Sequence, residues 1–131
     1  MKSKSWVLFA VVLVCVATMT ITGAGESRTL RGEYQWDQRD ETGELEAVFT
    51  PTGEGAWDVE FHFEFRGKSH VYAGSAEGSL DEGDLSGKVF NEEKKRTFLF
   101  TGSFKDGTFR GTHAEIHGDD KQETGTLSLK R

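Results

Sequence analysis

Polarity alternates along much of this chain. In "WDVEFHFEF", Trp57 to Phe65, the residues Trp57, Val59, Phe61, Phe63 and Phe65 share one face, and Asp58, Glu60, His62 and Glu64 share the other. Period two with a single apolar face predicts an antiparallel strand covered on one side. The same reading predicts eight strands, over roughly 31–38, 43–50, 55–66, 69–80, 84–91, 96–104, 108–117 and 122–130, and no helix. The links between them are short: "DETG", "PTGE", "GK", "DEGD", "NEEKK", "KDGT" and "GDDKQ". Links of this length pair sequence neighbours into an up-and-down meander. An all-β meander of eight strands in one domain predicts closure into a small barrel, because closure removes exposed sheet edges. An open β-sandwich is the alternative.

A glycine grid punctuates the second half. "AEGSLDEGDLSG", Ala76 to Gly87, and "FTGSFKDGTFRG", Phe100 to Gly111, share the skeleton Gly-Ser-apolar-x-acid-Gly-x-apolar-x-Gly. The acid-Gly step supplies a tight turn. The outer glycines Gly78, Gly87, Gly102 and Gly111 fall in phase with the apolar positions, as do Gly74 and Gly125. Glycines inside strands mark bends or close backbone approach, and a small barrel needs that coiling to close. The grid therefore reads as one hairpin written twice, an architectural feature.

Two family resemblances follow. "FTGSFKDGTFRG" resembles a MORN repeat, in which an aromatic-x-Gly arm faces a Gly-x-aromatic-x-Gly return. The likeness covers about 72–111, and the upstream copy carries leucines in the aromatic places. It implies a stack of hairpins. The order of the whole chain resembles the calycin type of small barrel, the lipocalin and avidin group. That resemblance rests on a leader, eight sequential strands and an aromatic lining. It implies a closed barrel with a ligand in the lumen. The lipocalin Gly-x-Trp near the first strand is absent; "GEYQW", Gly32 to Trp36, stands there instead. No ligand residue carries over from either family.

The first residues give an address. Lys2 and Lys4 precede an apolar run from Trp6 to Ala17, and the small residues Thr22, Gly23, Ala24 and Gly25 follow. This is the pattern of a secretory signal peptide over 1–24, with cleavage after Ala24 leaving one domain over 25–131. The 17 residues from Trp6 to Thr22 fall short of a membrane span, so no stable membrane anchor is expected after cleavage. The product is expected to be secreted or periplasmic, and a monomer. Cys15 is the only cysteine and leaves with the leader, so the mature domain has neither disulfide nor thiolate chemistry. Loss of Lys2 and Lys4 takes the formal net charge from −6 to −8. An acidic domain without a basic stripe makes nucleic acid an unfavourable partner.

The chemistry-bearing motifs are few. Gly-x-Ser-x-Gly, His-Glu-x-x-His and phosphate loops are absent, and the acidic pairs fall in turns where carboxylates are ordinarily solvated. Catalysis is not expected. Thirteen aromatics remain after the leader is removed, mostly in the inward phase. An eight-stranded barrel is just wide enough to be filled by side chains or to hold one small ligand. If it is hollow, the lining predicted is Trp57, Phe61, Phe63, Tyr72 and Phe98, with Gly74 and Ala76 leaving room. The filled interior is the preferred reading. A second candidate is "GTHAEIHG": His113, Glu115 and His117 recur at every second residue and so share one side of a strand. Two imidazoles and a carboxylate suit zinc or copper, yet side chains about 7 Å apart per step need a bend or a neighbour's ligand to converge. Continuous phase from Phe109 points them inward; a bulge after Gly111 would turn Ala114 and Ile116 inward instead.

These readings lead to an exported, non-catalytic binding module. Its partner would be a small apolar molecule or an extracytoplasmic protein. The alternative is a metal-binding protein or metal-assisted enzyme built on His113, Glu115 and His117.

Overall fold

The structure, a computed structural model, describes residues 26–131; the expected leader lies outside the described residues. Eight strands follow in order: β1 (Arg28–Trp36), β2 (Glu41–Gly53), β3 (Ala56–Phe65), β4 (Lys68–Gly78), β5 (Gly83–Asn91), β6 (Arg96–Lys105), β7 (Thr108–His117) and β8 (Asp120–Lys130). Each pairs antiparallel with its sequence neighbour, and β1 also pairs with β8. The sheet is therefore a closed up-and-down barrel. The open sandwich and the hairpin stack give way to closure.

Several links differ from the sequence reading, one by a shift of one residue and others by being shorter or displaced into a strand. The third and fourth strands turn on Arg66–Gly67, with φ of 53° and 79°, and not on "GK". Consecutive positive φ values are those of a two-residue turn whose twist matches the strands it joins. Asp106–Gly107 repeats this geometry in "KDGT", with φ of 54° and 79°. The last link is Gly118–Asp119; the residues Asp120 to Gln122 of "GDDKQ" already belong to β8. Most of "DETG" likewise lies in β2, and β1 joins β2 through a single 3₁₀ turn, Asp37–Arg39.

The grid glycines face inward against backbone. A Cβ on Gly74 would run into the Lys88 carbonyl of β5, and one on Gly102 into the Arg110 carbonyl of β7. Gly43 has a different neighbour: the Tyr34 ring lies across it, and the Tyr34 hydroxyl donates to the Glu64 carbonyl of β3 at 3.1 Å. A side chain at Gly43 would block that reach over β2.

An even number of strands places the start of β1 and the end of β8 at one end of the barrel. That end is solid. Phe49, Phe104, Phe109, Leu30, Leu85 and Leu129 are buried there, with Phe104 and Phe109 rings 5.4 Å apart. The β4–β5 link turns Leu80 into the same core, leaving it 1 % exposed. Ser79 Oγ accepts from the Asp81 and Glu82 amides and holds that link in shape. Asp81 then pairs with Arg28 at 3.3 Å and Arg131 at 3.2 Å, tying the start of β1 and the residue after β8 to the plug.

Candidate functional site

The opposite end is hollow. A cavity of about 470 Å³ opens between the β1–β2, β3–β4 and β5–β6 links. Its size falls in the range of small-molecule sites, roughly 300–1,000 Å³. The floor is Leu45, Phe61, Val89, Phe100 and Leu127. The walls are ring faces. Phe63 stacks on Tyr72 at 5.7 Å and on His70 at 5.5 Å, and Trp36 stacks on His113 at 5.8 Å. Phe98 meets Tyr72 edge-on at 5.5 Å. These rings line the cavity because the period-two pattern of β3, β4 and β6 continues past the height at which the plug stops.

The preferred expectation of a filled interior therefore holds for one half of the barrel only. Of the lining residues predicted from sequence, Phe61, Phe63, Tyr72 and Phe98 line the cavity. Trp57, Gly74 and Ala76 do not. Trp57 packs edge-on against Phe49 and donates from Nε1 to the Gly78 carbonyl at 3.0 Å, on the plugged side. Ala76 pairs with Trp57 and Gly87 and is 3 % exposed, leaving no room beside it. The space at Gly74 is taken by the backbone of β5. Tyr34, Trp36 and Arg96 were missed. Tyr34 and Trp36 had a visible signal, the aromatic pair in "GEYQW"; Arg96 had none.

His113 and Glu115 both continue the inward phase of Phe109. The bulge falls on β8, where Thr124 is left without a partner between the pairs His113–Gly125 and Ala114–Glu123. It changes a neighbour's register and leaves the phase of β7 intact. The bulge delivers Thr124 Oγ1 to 2.6 Å from His113 Nδ1, while Nε2 sits 2.9 Å from the Gln35 carbonyl. A carbonyl only accepts, so Nε2 carries the hydrogen. Burial pushes the His113 pKa down, opposed by the Gln35 carbonyl and more weakly by Asp37. The Thr124 hydroxyl lies between two acceptors of His113, Nδ1 at 2.6 Å and the backbone carbonyl at 3.0 Å, and its single hydrogen serves one of them at a time.

Glu115 is 8 % exposed and receives two hydrogen bonds from Arg96, at Nε and at Nη2, each 2.8 Å long. The guanidinium also lies 5.4 Å from the Trp36 ring centre and 5.3 Å from that of Phe98. Arg96 holds the Glu115 carboxyl below the usual range. His117 is exposed at the mouth, 3.4 Å from Glu115 Oε1. The nitrogen and oxygen atoms that would coordinate a metal at His113 and Glu115 are thus engaged in hydrogen bonds. Among the described residues, no three His, Cys, Asp or Glu side chains are grouped as a metal site. What the arrangement offers is an aromatic cup with a rigid polar wall. No protein-family model matches this sequence, and no curated protein matches it.

Proposed function

We propose that this protein is an exported, non-catalytic carrier or receptor module that takes a small, largely apolar molecule into the open half of its barrel. The observation that carries the reading is the aromatic cavity of about 470 Å³, sealed below and open above. A cavity lined by Phe61, Phe63, Tyr72 and Phe98 leaves apolar surface facing water, which a fitting ligand would cover, at about 25 cal/mol per Å². The closed eight-stranded meander is compatible with the calycin type of small barrel, which supports a lumenal site in place of a surface one. The Lys2/Lys4 and Trp6–Ala17 pattern supports export.

Native mass spectrometry of protein purified from its own host tests the reading directly by displaying a retained small molecule. Titration with the neutral dye N-phenyl-1-naphthylamine tests the site. Val89 lies on the floor and is 2 % exposed, so Val89→Trp projects bulk into the hollow. Saturable dye binding by wild type, lost in Val89→Trp while the fold survives, is the expected result. Undiminished binding by the variant places the site elsewhere.

A further inference from the structure

We propose that the ligand of this cavity is an organic anion. Its apolar, ring-bearing body lies among the aromatic walls, and an acidic head stays at the mouth among Arg39, Lys68 and Lys94. The inference rests on the cavity reading above and adds the charge of the ligand and the end at which it is held.

The sign of the charge comes from segregation. The chain carries 22 acidic against 16 basic residues, yet the cavity lining contains Arg39, Arg66, Lys68, Lys94 and Arg96 and no carboxylate. Carboxylates are common one layer out. Glu41 pairs with Arg66 at 3.0 Å, and Glu115 takes up Arg96. Asp40 belongs to the same link as Arg39 but accepts from Gln35 Nε2 at 3.4 Å. Among the described residues, no carboxylate lies within 4.0 Å of Arg39, Lys68 or Lys94. Two of the five cations are thus neutralised by the protein, and three are left to the mouth.

Those three come from the β1–β2 link, the first residue of β4 and the β5–β6 link, so the fold gathers them and chain proximity does not. Their supports are ordered. Asn91 is 7 % exposed; its Nδ2 donates to the Val71 carbonyl at 2.9 Å and its Oδ1 accepts from the Lys94 amide at 2.7 Å, which fixes the β5–β6 link. Lys68 begins β4 directly after the tight Arg66–Gly67 turn. Arg39 closes the 3₁₀ turn, where the Asp40 amide donates to the Asp37 carbonyl at 3.3 Å.

Physics assigns the head to the rim. An acidic group carried to the floor would lose its water among Phe61, Val89 and Phe100, whose side chains carry no donor, at a cost of several kcal/mol. At the mouth it remains hydrated and meets a field focused by low-dielectric walls. The exposed cations make that attraction sensitive to salt. The body is assigned to the rings, because faces such as Phe63, Tyr72 and Trp36 favour stacking on a flat apolar partner.

A matched pair of dyes separates the two parts of the reading. 8-Anilino-1-naphthalenesulfonate and N-phenyl-1-naphthylamine share one body; only the first carries a sulfonate. Wild type should bind the sulfonate about tenfold or more tightly at low ionic strength. The gap should shrink between ~20 mM and ~500 mM salt. It should close in the Arg39→Gln/Lys68→Gln/Lys94→Gln variant, whose affinity for the neutral dye stays that of wild type. All three positions are exposed, and a thermal scan verifies the fold. Equal binding of both dyes by wild type, or an undiminished gap in the triple variant, overturns the anionic head and leaves the cavity standing. Failure of both dyes to bind, or equal binding to Val89→Trp, removes the cavity and the head together.

Discussion

Arg96 and Glu115 face each other across neighbouring strands with two hydrogen bonds of 2.8 Å, beneath the faces of Trp36 and Phe98. The pair is fork-to-fork, the geometry in which a guanidinium is fixed in orientation as well as in charge. It stiffens the β6–β7 side of the cavity, where polar groups interrupt the rings. Glu115→Gln removes the counter-ion and leaves Arg96 partly buried. Breaking a fully buried pair costs about 3–5 kcal/mol. Because the Arg96 side chain keeps 39 % exposure, the expected loss is nearer ~1–3 kcal/mol. Urea denaturation at neutral pH measures it, and a loss below ~0.5 kcal/mol would show that water does the work of Glu115.

Acid should weaken the barrel in two stages. His113 has its folded-state pKa lowered by burial, so the unfolded chain takes up the proton first. Its share of stability is complete above the ordinary histidine value of about 6.5 and fades as pH falls from there to the folded value. Glu115, lowered by Arg96, gives stability that is complete above the ordinary glutamate value and is lost as pH falls through the folded one. Urea midpoints should therefore drop first below pH ~6.5 and again in the carboxylate range. In His113→Gln the first drop should vanish and the second remain. A first stage retained in that variant would assign it to another group.

The two halves of the barrel should answer truncation differently. Phe104 is 2 % exposed inside the plug, and Phe104→Ala should cost about 3–5 kcal/mol. Phe63 is only partly buried and already borders empty space, so Phe63→Ala should cost less than that and enlarge the cavity. Comparison of the two denaturation curves checks the division; equal losses would mean that the hollow end packs as tightly as the plug.

The grid glycines should refuse even a methyl group. Gly74→Ala would press a Cβ on the Lys88 carbonyl, which is backbone and has no rotamer to change. The expected cost is about 3 kcal/mol, at the upper end for overpacking. Gly53, where an added Cβ meets only the Ala56 methyl at 4.0 Å, is the control and should accept alanine with little change. Thermal denaturation of the two variants decides between an architectural role and a merely permissive one.

Export makes a chemical prediction. N-terminal sequencing of protein recovered outside the cytoplasm should begin near Gly25. Recovery with Met1 intact would contradict cleavage.

Much of the fold was legible because strand polarity is a local property. Trp57 to Phe65 announces its face within nine residues, and acid-Gly steps announce turns. The site was only half legible. Trp57, Ala76 and Tyr72 share the inward phase, yet Tyr72 borders the cavity and the other two lie beside the plug. Phase says in or out; height along the axis depends on register, and on Leu80, which a link and not a strand carries inward. The contacts of His113 were hidden for a related reason. A bulge at Thr124 belongs to the pairing of two strands, so neither strand displays it alone. The mouth cations gave no signal, since Arg39, Lys68 and Lys94 are far apart in sequence and meet only after closure.

The Asp81 clasp has a geometric consequence. With the start of β1 and the end of β8 gathered at the plug, the barrel stands like a goblet on its own stem. Whatever is fused to Glu26 or Arg131, whether an affinity tag, a second module or a solid support, attaches beneath the base. The rim points away from it, so immobilisation by either terminus presents the opening to solution in one fixed orientation.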